Sequence, residues 1–345
     1  MYELVIRGGL VIDGRGGPGR RADVAIARGR VAAIGVDVGP AARTIDAAGR
    51  VVTPGFIDVH THYDAHVFWD ADTPSLAHGV TTVIAGNCGF SLAPLSARRA
   101  DVGFVAGMLA RAEGLAPDLV RAHVPWSWRT TADYLDRLDG RLGINLGVLV
   151  GHSTLRRAAM GARATTAAAT AAERARMRRM LRAGLESGAL GLSSSWARTH
   201  TDGSGQPVPS RRATASELIE LAAVVGEHAG TSLQMIVAGG SRPFTRTDVA
   251  MLTALSCAAR RPLNWNSLHV DHASLALCAA KLAASDHARR RGGKVIALVM
   301  PVGGGVRLGF QTGFLYDSLG APWPAAMRAP RAERIGWFRD PRARR

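Results

Sequence analysis

The stretch Pro54-Gly55-Phe56-Ile57-Asp58-Val59-His60-Thr61-His62 decides how the rest of the chain is read. A Pro-Gly break leads into an apolar run of strand length, which ends in two histidines one residue apart. Alternate side chains of an extended chain share a face, so His60 and His62 point the same way. At the C-terminal end of a barrel strand, that face looks into the mouth where active sites form. Two neutral imidazoles so placed are candidate ligands for a divalent metal such as zinc.

Working outward, the chain repeats this strand-then-helix rhythm. Apolar runs of strand length fall at 51–59, 81–85, 146–150, 189–193, 232–237, 263–268 and 294–299. Helical patterns fall at 97–112, 131–138, 167–184, 215–229 and 274–291. Within the fourth, Leu218, Ile219, Leu221, Ala222 and Val225 make a stripe fit for burial. Such alternation predicts βα units on a parallel sheet. Upstream, short β runs at 4–6, 9–14, 23–26 and 30–35 alternate with glycine turns and predict a small antiparallel unit. The expected fold is therefore α/β: an incomplete (β/α)8 TIM-like barrel of about seven βα units over 54–345, with a small β-sandwich-like domain over 1–53. A doubly wound open sheet competes, but its glycine fingerprint must lie between a strand and a helix. Gly14-Arg15-Gly16-Gly17 has no helix after it. Gly303-Gly304-Gly305 has poor helix signals after it, so both read as turns.

Composition excludes several classes. With 345 residues and 47% hydrophobic content, the chain is neither disordered nor short of core material. No apolar run reaches the roughly 18 residues of a spanning helix. The N-terminus lacks a basic segment followed by an apolar one, and three cysteines cannot form a disulfide framework, so a reducing cytoplasm is expected. The net charge of +16 raises the question of nucleic acid. The basic residues are nearly all arginine, gathered on the helical stretch 174–182 and in the tail from Arg328. No basic–aromatic interleaving accompanies them, so a solvated basic face is the better reading.

Two further segments carry chemistry. Cys88, in Gly86-Asn87-Cys88-Gly89, follows the second strand and is placed to offer a thiolate to the same metal. The competing reading is a small buried residue. His152 and Arg156 follow the third strand, where they would orient a substrate and bind its carboxylate, or simply begin a helix.

These motifs together resemble the amidohydrolase superfamily, and within it the N-acyl-D-amino-acid deacylase (D-aminoacylase) group. The resemblance rests on residues 49–62, 78–83, 86–91, 151–156 and 187–195, and runs from the start to about residue 240. The segment Gly86-Asn87-Cys88-Gly89 is its most discriminating part. It implies a metal-dependent hydrolase of linear amide bonds that deacylates N-acyl-D-amino acids through a metal-activated water, with one or two zinc-like ions. Related enzymes bridge two metals with a carboxylated lysine on the fourth strand. Here that strand has no lysine, which makes Cys88 the bridging ligand the resemblance implies. The group also carries metal-binding histidines after strands five and six. Gln234 stands at the first of these, and His269 or His272 is expected at the second. The implied catalytic aspartate follows an eighth strand, whereas no aspartate follows Asp340, so the chain reads as C-terminally truncated. Asp64 and Asp271 are then the nearest carboxylates, and Arg156 or Arg198 the candidate partner for a substrate carboxylate. Three readings follow: a deacylase acting on a small N-acyl amino acid, a catalytically impaired relative, and a basic nucleic-acid-associated protein.

Overall fold

The computed structural model describes residues 1–237, 242–270, 273–300, 309–310 and 314–343. Asp271, His272 and Gly303 to Gly305 lie outside the described residues. The chain divides into two compact units, Met1–Ile57 with Ala77–Thr81, and Asp58–Leu76 with Thr82–Arg345.

The first unit is a sheet of five strands: β1 (Tyr2–Val11), β2 (Arg20–Ala27), β3 (Arg30–Gly35), β4 (Ala41–Asp46) and β5 (Val51–Val52). Its order is β3-β2-β1-β4, with β5 also on β1. The sheet is mixed, not the antiparallel unit expected. β1 pairs antiparallel with β2 but parallel with β4 and β5. Gly8, with φ +68°, carries β1 through a bulge between Ile6 and Gly9. The two expected runs thus merge into one strand whose halves take different parallel partners. Val11, Ala22 and Val24 form its small core, with Ile6 and Val52 against them.

The remaining strands are β6 (Phe56–Asp58), β7 (Val80–Ala85), β8 (Asn145–Val148), β9 (Val150–Gly151), β10 (Gly191–Ser195), β11 (Ser232–Ile236), β12 (Pro262–Leu268) and β13 (Lys294–Val299). They run in the orders β6-β7-β8 and β9-β10-β11-β12-β13, and β7 pairs parallel with β8, as does each neighbouring pair from β9 to β13. Leu149 separates β8 from β9. Its N–H donates to Ala85 O at 2.9 Å, and Leu190 N–H donates to Val148 O at 2.8 Å. One chain segment therefore links both sheets.

Helices fill the connections: α1 (Arg99–Glu113), α2 (Pro117–His123), α3 (Thr131–Leu138), α4 (His152–Met160), α5 (Ala171–Glu186), α6 (Ala215–Gly226), α7 (Arg246–Ala259), α8 (Leu275–Arg289), α9 (Trp323–Arg328) and α10 (Arg331–Arg339). Helix α7 was not expected, although Thr245 and Asp248 cap it reciprocally in the way such a sequence pair signals. Leu218, Leu221, Ala222 and Val225 of α6 are buried as the stripe requires, packing with Val150, Leu192, Leu233 and Leu263 from four strands. Among the described residues no helix is long and apolar enough to cross a membrane.

Candidate metal centre

Backbone geometry brings His60, His62 and Cys88 to one place. The two histidines follow β6, where Thr61 N–H donates to Ile84 O at 2.9 Å and keeps the chain in step with β7. Cys88 sits in the turn after β7 with φ +57°, a conformation that costs a non-glycine residue energy unless its surroundings hold it. They do. Asn87 Nδ2 donates to Thr61 O and Ile84 O, Gly89 N–H donates to Ser193 Oγ, and Cys88 N–H donates to Gln234 Oε1 at 2.7 Å. Gly86 enters the turn at φ +76°, and a Cβ there would lie 2.0 Å from Leu149 O. Only glycine fits this entry.

Ligand atoms of His60, His62 and Cys88 lie within 4.8 Å of one another. His60 Nε2 is 3.3 Å from Cys88 Sγ. Nδ1 of each imidazole is buried without a hydrogen-bond partner. Burial holds His60 down to about 3, with the neighbouring His62 adding to the effect, and holds His62 down to about 4. Both rings are therefore neutral at pH 7 and carry free lone pairs. Burial also pushes the Cys88 thiol up, helped by the charges of Glu113 and Asp64 and opposed by Asn266. Two neutral imidazoles and a thiol with unpartnered polar atoms are a donor set that fits a zinc-like ion.

Other residues enclose this group. Phe90 lies between the rings of His62 and His200, at centroid distances of 5.9 and 5.1 Å. His200 Nδ1 is 2.8 Å from Ser195 Oγ. Glu113, at the end of α1, reaches His62. Asn266 of β12 reaches both His60 and Cys88. Sequence reasoning did not find Glu113, His200 or Asn266, because each is a single polar residue with no spacing signal.

Four expected site residues are placed elsewhere or otherwise used. Asp64 has no exposed surface; its Oδ2 accepts from Gly86 N–H at 3.0 Å, and burial pushes it up to about 7. Arg156 is fully buried and bonds Glu217, Ala164 O and Ala167 O. The carboxylate it was expected to bind is thus supplied by the protein. His152 is also fully buried, with Nδ1 2.8 Å from Ser194 Oγ and Nε2 2.8 Å from Glu217 Oε1. His269 is exposed and its Nε2 is 2.8 Å from Ser267 Oγ, outside the close group of His60, His62 and Cys88.

The amidohydrolase family model matches residues 43–335. D-aminoacylase of Alcaligenes xylosoxydans xylosoxydans is 41% identical over 233 residues, which cover 66% of this chain and 43% of that protein. A solved structure of D-aminoacylase superposes with a TM-score of 0.69 at 30% identity, over 88% of this chain and 59% of the other. N-acyl-D-glutamate deacylase from Bordetella bronchiseptica, solved with zinc and a phosphonate inhibitor, gives 0.66 at 32% identity, over 87% and 59%. The chain therefore spans less than half of the curated relative and about three-fifths of the solved ones. Within that span the parallel strands and their helices correspond to part of a TIM-like barrel preceded by a β unit.

Proposed function

The chain belongs to the amidohydrolase family, and from that premise we propose that it is a metal-dependent hydrolase of linear amide bonds that deacylates N-acyl-D-amino acids. The observation that carries the reading is the approach of His60 Nε2 to Cys88 Sγ at 3.3 Å beside two orphaned imidazole nitrogens. His60, His62 and Cys88 would hold the ion, zinc by donor type. When bound, such an ion supplies Lewis acidity, acidifying water and polarising an amide carbonyl.

The chain's own residues prepare that site. The two imidazoles offer lone pairs without first losing a proton at neutral pH. Cys88 must give up its thiol proton when an ion arrives, so binding strengthens as pH rises. Phe90 and His200 form a ring wall beside His62 that restricts water. The substrate class follows what the relatives are named for, D-aminoacylase and N-acyl-D-glutamate deacylase. A small N-acyl amino acid is the partner we infer. Three free thiols suit a cytoplasmic setting.

A second reading, an impaired relative that binds an ion without turnover, is favoured by one observation. Asp64, two residues past His62, is sealed from solvent. Metal analysis of the purified chain and release of free amino acid from a panel of N-acetyl-D- and N-acetyl-L-amino acids separate the two. Hydrolysis of D-substrates that a chelator abolishes and zinc restores supports the first. A bound ion without hydrolysis supports the second, and neither ion nor hydrolysis overturns both.

A further inference from the structure

We propose that the centre takes one divalent ion, on His60, His62 and Cys88, and that Gln234 and Asn266 enclose it as a neutral amide frame without adding ligands. The inference rests on the metal-dependent reading above and specifies its stoichiometry.

The frame can be read atom by atom. A backbone N–H is an unambiguous donor, so Cys88 N–H at 2.7 Å from Gln234 identifies the atom facing it as Oε1. The Gln234 Nε2 must then face Asn266, and it donates to Asn266 Oδ1. That leaves Asn266 Nδ2 turned toward the cluster, 3.4 Å from His60 Nε2 and 3.8 Å from Cys88 Sγ. Flipping either amide would set donor against donor, so the network admits one orientation.

The consequence for a cation is direct. An amide offers lone pairs only through its oxygen, and both oxygens already accept a hydrogen bond. What points at the cluster is an N–H, which suits a sulfur or an imidazole lone pair and repels a cation. Among the described residues, His60, His62 and Cys88 are the one group of three or more His, Cys, Asp or Glu side chains close enough to share an ion. A zinc site takes about four donors. Three side chains and one water complete a single ion and leave, among the described residues, no set for a second.

Zinc binding to the full chain, measured by equilibrium dialysis with metal analysis, tests this. A parallel cobalt titration follows the thiolate-to-cobalt absorption band. Saturation at one ion per chain is expected, with a band that Cys88→Ser abolishes. Asn266→Ala should keep one ion per chain with an affinity within about tenfold of the unmodified chain's, since Asn266 lends a hydrogen bond and no lone pair. Gln234→His combined with Asn266→His should raise the stoichiometry to two, because imidazoles replace the N–H donors. Saturation of the unmodified chain at two ions overturns the frame and leaves metal dependence standing. Failure to bind any ion overturns the metal-dependent reading itself. Should the double variant not fold, as judged by circular dichroism, Asn266→Ala decides alone, since total loss of the ion would make Asn266 a ligand and overturn the frame.

Discussion

Glu113 Oε1 lies 3.6 Å from His62 Nε2, across 51 residues of sequence. The separation is too long for a direct hydrogen bond, and burial pushes the Glu113 carboxyl up to about 8, so in the metal-free chain it faces the neutral ring mostly protonated, and an ion on His62 would favour its carboxylate form. A carboxylate beside a ligating histidine orients it and raises its basicity. Glu113→Gln is expected to weaken zinc binding by about tenfold and Glu113→Ala by more, within the range of about 10–100-fold for such supports. Calorimetric titration checks this, and unchanged affinity in both variants would remove Glu113 from the centre.

Glu217 joins two fully buried basic side chains, His152 and Arg156. Burial alone would raise its pKa, yet bonds from His152 and Arg156 hold it down to about 2. Removing one partner of a buried pair strands the other charge. Glu217→Ala should therefore cost about 3–5 kcal/mol, while pairing Glu217→Leu with Arg156→Met should recover a large part of it. Urea denaturation of the three proteins decides the matter. A loss below about 1 kcal/mol in the single variant would show that the network adds nothing to stability.

Acid should destabilise the metal-free chain. His60, His62 and His200 are held down to about 3, 4 and 3, chiefly by burial, from an ordinary 6.5. Between those values the unfolded state binds more protons, so stability falls as pH falls. Asp64 and Glu113, pushed up by burial to about 7 and about 8, act in the opposite direction, since their folded forms hold protons that the unfolded chain lacks. His152, also held down by burial, sides with the other three, and four histidines outweigh two carboxyls by a small margin. The melting temperature is expected to drop as pH is lowered from about 7 toward 5, and His200→Gln should flatten the slope. A melting temperature that rises on acidification would contradict this account.

The three thiols differ in access. Cys88 and Cys278 are buried, whereas Cys257 is partly exposed. Alkylation by iodoacetamide, followed by mass spectrometry, should label Cys257 first. Cys88 should react on the timescale of local opening, and added zinc should slow it further without changing Cys257. Early labelling of Cys88 would mean that the turn around it opens readily.

How much of this was legible beforehand depends on the residue. His60, His62 and Cys88 were found because each ends an apolar strand, and strand alternation is a local rule. The strand at 51–59 was nevertheless read as one element. It is two, because Pro54 and Gly55 break it, so that β5 pairs with β1 and β6 with β7. Glu217 shows why other residues escaped. Thr214 and Glu217 have the spacing of a reciprocal helix cap, as at Thr130, Thr170 and Thr245. In α6 only half of that cap forms, because the Glu217 carboxylate is taken by His152 and Arg156. The partners of Glu217 lie about sixty positions away in sequence, beyond the reach of any local pattern. Asn266 escaped for a related reason: no rule of local sequence distinguishes an asparagine that faces inward.

The bond from Cys88 N–H to Gln234 spans 146 residues, and the contact of Asn266 with His60 spans 206. Contacts so distant in sequence form late, after the intervening chain has been made and packed. On a ribosome, the histidines and the cysteine emerge long before the side chains that hold them in register. A nascent chain ending before β12 carries all three donors but lacks half of their enclosure. An ion seated firmly there would thus act as a timestamp, marking the moment at which synthesis has passed Asn266 and the wall from β6 to β12 has closed up around it.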